Sequence, residues 1–463
     1  LMIRVINPIL KRNTLYKGTK LGRLVNFEEE RVFMFDNVRE KSNDDVVNEI
    51  LSLHKGCLSS EEYASLENVL IEYKSIFSRS STDVGLIKGF KHQIETNNHK
   101  PISLNPRRVP VNVQTKVDNL VNDLEEKGII VKTVSPWNSP IVVVPKKNGD
   151  IRLCVDYRHL NSITERPIYH IPDARELFDS LDGSEYFSAL DLSMGYHQIE
   201  MDERDMGKTA FTTRNGQFCF KRMPFGLCGA PQSFQRVMAA ILREQNWKNC
   251  LIYLDDICIF GSTLKEHNTR LRSVLHCLAK AGVKLSPGKC VFMRKEITYL
   301  GHVIDKNGVR TDPTKISKIK EWPIPKTAKE MKTFISLCSY YRKFVNNFAE
   351  IVRPLELLCQ DKSSIKSLVM GDIHKKAWSQ LKESLCTSPI LSFPQKEGIF
   401  ILDTDASQDS IGAVLSQMQN GQEKVISYAS HALSKHELQY CVTRRELLAV
   451  YKYALFLWKT QYW

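Results

Sequence analysis

What is missing from this 463-residue sequence excludes several classes of protein. No apolar run approaches the length needed to cross a membrane, and no secretory signal opens the chain, so we expect neither a membrane partner nor export. The twelve cysteines form no Cys-x-x-Cys pair and no zinc-knuckle spacing, which indicates free thiols in a reducing compartment. Neither Asp-Thr-Gly nor Asp-Ser-Gly occurs, which excludes the usual aspartic protease site.

Negative charge is in short supply: 65 Lys and Arg face 52 Asp and Glu, for a net charge of +13. Such an excess indicates a polyanionic partner, of which nucleic acid is the leading candidate. The alternative is a basic surface that serves only to keep the protein soluble. Residues 310–345 carry nine basic residues against three acids, which predicts contacts with a sugar-phosphate backbone. Residues 396–463 carry seven of each sign, so the excess disappears there.

Two adjacent aspartates, Asp255 and Asp256, interrupt an apolar run over residues 250–260. This pattern predicts a tight β-hairpin with the acids at its turn. Neighbouring carboxylates repel each other and are costly to desolvate unless a cation neutralises them. An ordinary polar turn is the alternative, because Asp is common in turns. A third acid, Asp191, ends an apolar strand predicted over 186–191, and one sheet could bring all three together.

Other periodic segments predict a mixed α and β chain. Residues 141–145 and 151–156 predict a strand pair around the turn Lys-Lys-Asn-Gly-Asp. Helical spacing predicts helices over the ranges 58–78, 113–130, 230–243, 264–283 and 329–344. Residues 26–56 show no clear periodicity and are interpreted as a linker.

Five motifs occur in one order and carry a family resemblance. They are Val155–Asn161, Leu190–Leu192 with Gly195-Tyr196, Met223–Leu227, Tyr253–Asp256 and Tyr299–His302. Together they resemble the reverse transcriptase of gypsy-like long-terminal-repeat retrotransposons, which are relatives of retroviruses. Each motif is modest alone, but five in sequence at suitable spacing argue against coincidence. The resemblance covers roughly residues 58–463, with a thinner match over residues 1–25.

The resemblance implies an α+β fold: a right-hand polymerase with fingers, palm and thumb, followed by a truncated α/β ribonuclease H-like domain. The implied domains are a protease-to-polymerase linker over 1–57, fingers and palm over 58–309, a helical thumb over 310–385, and the truncated ribonuclease H-like domain over 386–463. No zinc-binding His/Cys cluster of an integrase is present.

The resemblance also implies the catalytic residues. Asp191, Asp255 and Asp256 would hold two Mg²⁺ ions, with Mn²⁺ as a substitute, since hard oxygen ligands suit both ions. Lys147 would clamp the triphosphate, with Lys146 as its rival because the register of that turn is uncertain. Arg152 would share this role, supplying a bidentate fork to phosphate oxygens.

Further positions match the family's nucleotide and primer sites. Tyr196 stands where the family places the aromatic side chain that crowds a ribose 2′-hydroxyl, and core packing is the alternative. Phe225 would line the same pocket, although the retroviral branch commonly has Gln there. Leu300 and Gly301 fall in the segment that holds the primer terminus.

The last segment resembles the start of a ribonuclease H domain. Asp405 matches its first metal ligand and Glu446 its second. The family's third acid would fall beyond Trp463, so we expect this chain to lack ribonuclease H activity.

Three functions are consistent with these patterns. The first is an RNA-directed DNA polymerase that extends a DNA or tRNA primer on an RNA template with deoxynucleoside triphosphates. The second is a catalytically silent, transposon-derived fragment that binds nucleic acid. The third is a viral-type RNA-dependent RNA polymerase, which Tyr196 and the ribonuclease H-like tail disfavour. The resemblance implies an intracellular, cytoplasmic setting within virus-like particles.

Overall fold

The computed structural model of the protein describes residues 41–80, 83–145, 151–360 and 368–459, with side chains described through residue 455. Its helices are α1 (Asn43–His54), α2 (Ser60–Glu72), α3 (Val111–Glu126), α4 (Arg158–Ile163), α5 (Ala174–Asp179), α6 (Glu203–Met206), α7 (Ala230–Ile241), α8 (Leu264–Ala281), α9 (Pro313–Lys320), α10 (Ala328–Tyr340), α11 (Phe348–Gln360), α12 (Asp372–Cys386) and α13 (Val442–Lys459). In this part of the chain, no helix combines the length and apolar character that crossing a bilayer requires.

The strands of the same ranges are β1 (Lys91–His92), β2 (Ile130–Lys132), β3 (Ile141–Pro145), β4 (Ile151–Val155), β5 (Tyr186–Asp191), β6 (Glu200–Met201), β7 (Phe211–Thr213), β8 (Gly216–Phe220), β9 (Cys250–Tyr253), β10 (Asp256–Gly261), β11 (Val291–Arg294), β12 (Glu296–Tyr299), β13 (His302–Asp305), β14 (Gly308–Thr311), β15 (Phe400–Ala406), β16 (Ser410–Gln419) and β17 (Gln422–Ala432). The predicted helices and strands named above are therefore present, with ends shifted by a few residues.

Helix α1 overturns part of the expected linker. Ser42 and Asp45 form a capping box, in which each side chain accepts a hydrogen bond from the other residue's backbone N–H. The apolar face of α1, formed by Val46, Val47 and Ile50, is buried in the main core. The linker prediction is wrong here, because Val46, Val47, Ile50 and Leu51 recur at helical spacing and form one buried face. Residues 1–40, also assigned to the linker, lie outside the described residues.

The central sheet has the strand order β11-β5-β10-β9 and is antiparallel throughout. Both of its faces are buried. On β10, Ile257 and Ile259 join a core with α1, α2, α7 and α8, whereas Cys258 and Phe260 join a core with α10, α11 and α12. Burial on both faces explains why β10 is apolar at four successive positions, 257–260, rather than at alternate ones.

A second, smaller group of strands has a core of its own. The sheet β2-β8-β7 and the hairpin β3-β4 pack with α3 around Val117, Val121, Phe211 and Phe218. This region lies within residues 58–309, the range that the sequence analysis assigns to fingers and palm together.

The helical region α9–α12 follows the three-stranded sheet β12-β13-β14. Phe334 of α10 and Trp378 of α12 pack with ring centroids 3.8 Å apart. Tyr428 of β17 packs against this same core, so the C-terminal sheet contacts the helical region.

The C-terminal sheet has the order β15-β16-β17, with α13 on one face. Ile411 and Ala413 pack against Ala449 and Tyr453 of α13. The C-terminal segment thus forms a three-stranded sheet covered on one face by a helix.

Candidate active site

The register of the central sheet brings the three acids of the predicted site together. Asp191 is the last residue of β5 and Asp256 the first of β10, and the two are directly paired across the antiparallel ladder. Directly paired residues have Cβ atoms about 4.5–5.5 Å apart. Asp255 occupies the turn between β9 and β10, so all three carboxylates lie at one edge of the sheet. Asp255 and Asp256 are exposed to solvent there.

A side chain that the sequence analysis did not identify, Gln235, fixes this turn. Leu254 has a positive φ of 53°, a backbone conformation that a leucine adopts only under constraint. Its N–H donates to Oε1 of Gln235 at 2.6 Å, and Nε2 of Gln235 donates to the Ile252 carbonyl at 3.1 Å. Gln235 is buried on α7. Its only signal in the sequence is a polar residue between Phe234 and Val237 on an apolar helix face.

The acids perturb one another electrostatically. Desolvation, together with the charges of Asp255 and Asp191, raises the pKa of Asp256 to about 6, while Lys289 acts in the opposite direction. Nζ of Lys289 lies 3.1 Å from Oδ1 of Asp191. The Asp191 carbonyl accepts the Ser286 N–H at 2.9 Å, so the segment that carries Lys289 is held against Asp191 at two points.

The donor set fits a divalent cation. Carboxylate oxygens are the ligands that Mg²⁺ prefers, and a cation would relieve the mutual repulsion that raises the pKa of Asp256. Within the described ranges, however, no three His, Cys, Asp or Glu side chains, the three aspartates included, are arranged so that they could hold a metal ion. The ion pair with Lys289 accounts for the present direction of the Asp191 carboxylate.

Two predicted nucleotide-site residues, Tyr196 and Phe225, form one aromatic wall. Their rings stack with centroids 4.9 Å apart, and Tyr196 also packs against Phe234 at 5.2 Å. Burial raises the pKa of Tyr196, and the nearby charge of Asp255 raises it further. Phe225 is 58% exposed. The wall therefore borders the acids and is open on its Phe225 side.

A residue of the first motif, Asn161, holds the loop that carries Phe225. Its Nδ2 donates to the Gly226 carbonyl at 2.8 Å, and its Oδ1 accepts the Cys228 N–H at 2.9 Å. These two bonds tie the first resemblance motif to the third, which the sequence could not reveal because 65 positions separate Asn161 from Gly226.

The phosphate-clamp residues are placed only in part. Lys146 and Lys147 lie outside the described residues. Arg152 is exposed on β4, opposite Val144 in the β3–β4 hairpin, and forms no ion pair with an acid in the described ranges. The structure therefore leaves the Arg152 side chain accessible to solvent.

Leu300 and Gly301 form the tight turn between β12 and β13, both with positive φ. The phenol of Tyr340 donates to the Leu300 carbonyl at 2.5 Å, and that of Tyr341 to the Gly301 carbonyl at 2.7 Å. The hydroxyl groups at the end of α10 thus fasten this turn to the helical region. Motion of that region would carry the turn with it.

Asp405 and Glu446 are placed differently from the central acids. Asp405 is exposed on β15 and pairs with Gly412, whose missing side chain makes room for Asn347 of the helical region. Alternation along β15 puts Asp405 on the face opposite Ala406, which packs toward α13. Glu446 lies in the second turn of α13. Like the central acids, neither belongs to a group of three side chains that could hold a metal ion among the described residues.

Two family models match this chain. The model described as reverse transcriptase (RNA-dependent DNA polymerase) matches residues 144–304. The model described as an RNase H-like domain found in reverse transcriptase matches residues 370–460. The first match contains all three central acids and the second contains Asp405 and Glu446.

Curated relatives are retrotransposon polyproteins. The chain is 39% identical over 398 residues to the retrovirus-related Pol polyprotein from transposon 297 of Drosophila melanogaster, a match covering 85% of this chain and 37% of the relative. It is 34% identical over 399 residues to the corresponding polyprotein from transposon gypsy of the same species, covering 83% and 38%. The chain therefore spans about two fifths of the length of these relatives.

Solved structures share the fold. The foamy viral protease-reverse transcriptase in complex with dsDNA superposes with a TM-score of 0.79 at 26% identity, covering 90% of this chain and 86% of that one. The same enzyme in complex with RNA/DNA hybrid gives a TM-score of 0.79 at 25% identity, covering 89% and 55%. This chain therefore combines a reverse transcriptase domain of right-hand polymerase fold with an RNase H-like domain, and over most of its length it is similar to the Pol polyproteins of gypsy-type retrotransposons.

Proposed function

We propose that this chain is an RNA-directed DNA polymerase, which extends a DNA or tRNA primer on an RNA template with deoxynucleoside triphosphates. The observation that carries the proposal is the direct pairing of Asp191 with Asp256, with Asp255 in the adjoining turn. The solved relatives contain dsDNA and RNA/DNA hybrid, which supports a template–primer duplex as the partner.

The reaction is a phosphoryl transfer. The primer 3′-oxygen forms a bond to the α-phosphorus, the bond from that phosphorus to the β-phosphate oxygen breaks, and pyrophosphate leaves. Two Mg²⁺ ions, with Mn²⁺ as a substitute, would supply Lewis-acid stabilisation of the attacking and leaving oxygens. Asp191 and Asp255 would hold them, with Asp256 coordinating more weakly. Lys147 and Arg152 would neutralise the triphosphate, and Leu300 and Gly301 would hold the primer terminus.

We also propose which residue ranges form the regions of the polymerase. Fingers and palm would extend to residue 309, with the thumb over 310–385 and the ribonuclease H-like domain from 386. The basic residues of α9 and α10, which are exposed at Lys315, Lys329 and Lys332, would contact the duplex backbone. As part of a retrotransposon Pol protein, the chain would act in the cytoplasm within virus-like particles.

Primer extension on an RNA template tests the proposal. Purified protein, Mg²⁺ and deoxynucleotides should give extension products that the Asp255→Asn variant does not, while duplex binding stays equal in the two proteins. Exposed Asp255 makes no hydrogen bond in the described structure, so this variant should fold. Duplex binding with no extension above the Asp255→Asn level would support the catalytically silent alternative. Preference for ribonucleotides would support an RNA polymerase.

Sugar selection has its own test at Tyr196. The stacked Tyr196–Phe225 wall beside Asp255 would clash with a ribose 2′-hydroxyl. Tyr196→Val should therefore raise the relative kcat/KM for ribonucleotides by about tenfold or more, since removing a clash removes a repulsive element of specificity. Deoxynucleotide incorporation by the same variant is the internal control. An unchanged ratio would make Tyr196 a packing residue.

A further inference from the structure

His54, at the end of α1, holds a backbone amide of the central sheet. The ring is 2% exposed, its Nδ1 lies 2.8 Å from the Ile50 carbonyl, and its Nε2 lies 2.9 Å from the Phe292 nitrogen. A carbonyl only accepts and a backbone N–H only donates, so the proton must be on Nδ1 and the lone pair on Nε2. Both ring nitrogens are thereby satisfied in the neutral form.

The amide that His54 accepts belongs to an irregular strand. Val291 pairs with Ala189 and Arg294 with Phe187, so two residues of β11 stand opposite one residue of β5. Such a bulge leaves ladder amides without their usual carbonyl partners. Here side chains replace those carbonyls: His54 accepts the Phe292 N–H, and the Ser188 hydroxyl accepts the Met293 N–H at 3.0 Å.

The bulge adjoins the segment that contacts Asp191. Cys290 immediately precedes β11, and its Sγ lies 3.8 Å from the Asp191 carbonyl. Lys289 pairs with the Asp191 carboxylate at 3.1 Å. A shift of β11 at Phe292 would therefore move the residues that orient Asp191, which lies on the neighbouring strand.

We propose that His54 is a positioning residue of the polymerase site: by holding the Phe292 amide, it fixes the β11 bulge and thereby the segment 286–290 around Asp191. Helix α1 then helps to position the polymerase site and is more than a connecting segment. The expected effect of His54 on kcat rests on the proposed polymerase function. The expected effect of His54 on the β11 bulge rests on the structure alone.

Two amide variants test the hydrogen bonds of the two ring nitrogens separately. His54→Gln places an acceptor at the Nε2 position and loses the donor to Ile50, whereas His54→Asn keeps a donor near Nδ1 and loses the acceptor. Hydrogen–deuterium exchange of peptides covering residues 290–294 reports on the bulge without any activity. Exchange there should accelerate by at least about tenfold in His54→Asn and stay near the wild-type rate in His54→Gln, because only the former frees the amide. His276→Asn, on the exposed side of α8, is the matched control.

Primer-extension kinetics provide the second readout. His54→Asn should lower kcat by about tenfold with little change in KM for the nucleotide, as expected for misplaced catalytic groups, and His54→Gln should restore it. Equal exchange in the Asn and Gln variants, or accelerated exchange with unchanged kcat, would overturn the proposal. If wild-type protein extends no primer, the proposed function fails while the exchange result still decides whether His54 holds the bulge. If His54→Asn does not fold, accelerated exchange in His54→Gln would contradict the proposal and retained protection would support it.

Discussion

The chain carries two groups of acids, and only in the central group are two acids paired across a strand ladder. In the central sheet, Asp191 and Asp256 are paired across the ladder and their charges interact. In the C-terminal sheet, Asp405 is paired with Gly412, and the acid that shares its face, Asp403, belongs to the same strand. Identical side-chain chemistry thus becomes a candidate site only where the register places acids opposite each other.

The supporting residues differ as well. Around the central acids, Gln235 fixes the turn, Lys289 pairs with Asp191, and Tyr196 packs beside Asp255. Around Asp405, the sheet face is used for contact with the helical region, where the Arg342 guanidinium donates to the Ser430 carbonyl and the Ala349 N–H donates to the Ser430 hydroxyl at 2.9 Å. The first environment orients acids and the second joins two parts of the molecule.

The largest expected effect compares the two sets directly. Asp256→Asn should lower kcat for primer extension by at least about 10²–10³-fold, because it removes charge from the group that would stabilise the transition state. Asp405→Asn should leave extension unchanged. Steady-state kinetics on one RNA template would check both. Equal losses in the two variants would mean that the C-terminal acids take part in synthesis, and no loss in either would remove the catalytic role of Asp256.

An intermediate effect is expected at the turn that holds the central acids. Gln235→Ala leaves the Leu254 N–H and the Ile252 carbonyl without their partner, which should lower the free energy of unfolding by about 1–3 kcal/mol. It should also lower kcat by about tenfold, since the turn would no longer be held in its constrained conformation.

The control for this variant is Gln232→Ala, one turn earlier on the same helix, where the buried Oε1 has no hydrogen-bond partner. Denaturant unfolding and primer extension would be measured side by side. A Gln232→Ala variant as impaired as Gln235→Ala would show that α7 itself, rather than its contact with the turn, limits activity.

The smallest effect concerns the stability of the C-terminal region. Nζ of Lys452 donates to Glu437 at 2.7 Å, and this bond together with those from Ser434 lowers the pKa of Glu437 from 4.5 to about 2. A carboxylate whose pKa is lower in the folded state stabilises fully above its unfolded pKa, near 4.5, and this stabilisation is lost as the pH falls toward 2. Glu437→Gln should therefore reduce stability by about 1 kcal/mol at pH 7.

The difference between Glu437→Gln and wild type should shrink as the pH falls below 4.5. Urea unfolding at several pH values would measure this difference in stability. The control is Glu423→Gln, because Glu423 is an exposed residue of β17. A difference that is independent of pH would show that the loss comes from packing rather than from the charge of Glu437.

Local patterns predicted most of the elements around the candidate site. The apolar runs on either side of Asp255 and Asp256 predicted β9 and β10, and the apolar run ending in Asp191 predicted β5. Helix α1 was missed because its short apolar face lies among acids and amides. Gln235 and Asn161 were missed because their partners, the Leu254 and Cys228 amides, are backbone groups that carry no sequence signal of their own.

The sequence by itself determined which chemistry is available: three carboxylates on apolar strand ends, an aromatic residue five positions after Asp191, and a basic region suited to phosphate. Only the tertiary structure decided which acids meet. Strand pairing depends on register, and a sheet can bring residues 191 and 256 together while leaving residue 405 opposite Gly412. Side-chain type is local information, whereas register is set by the packing of both sheet faces against the rest of the chain.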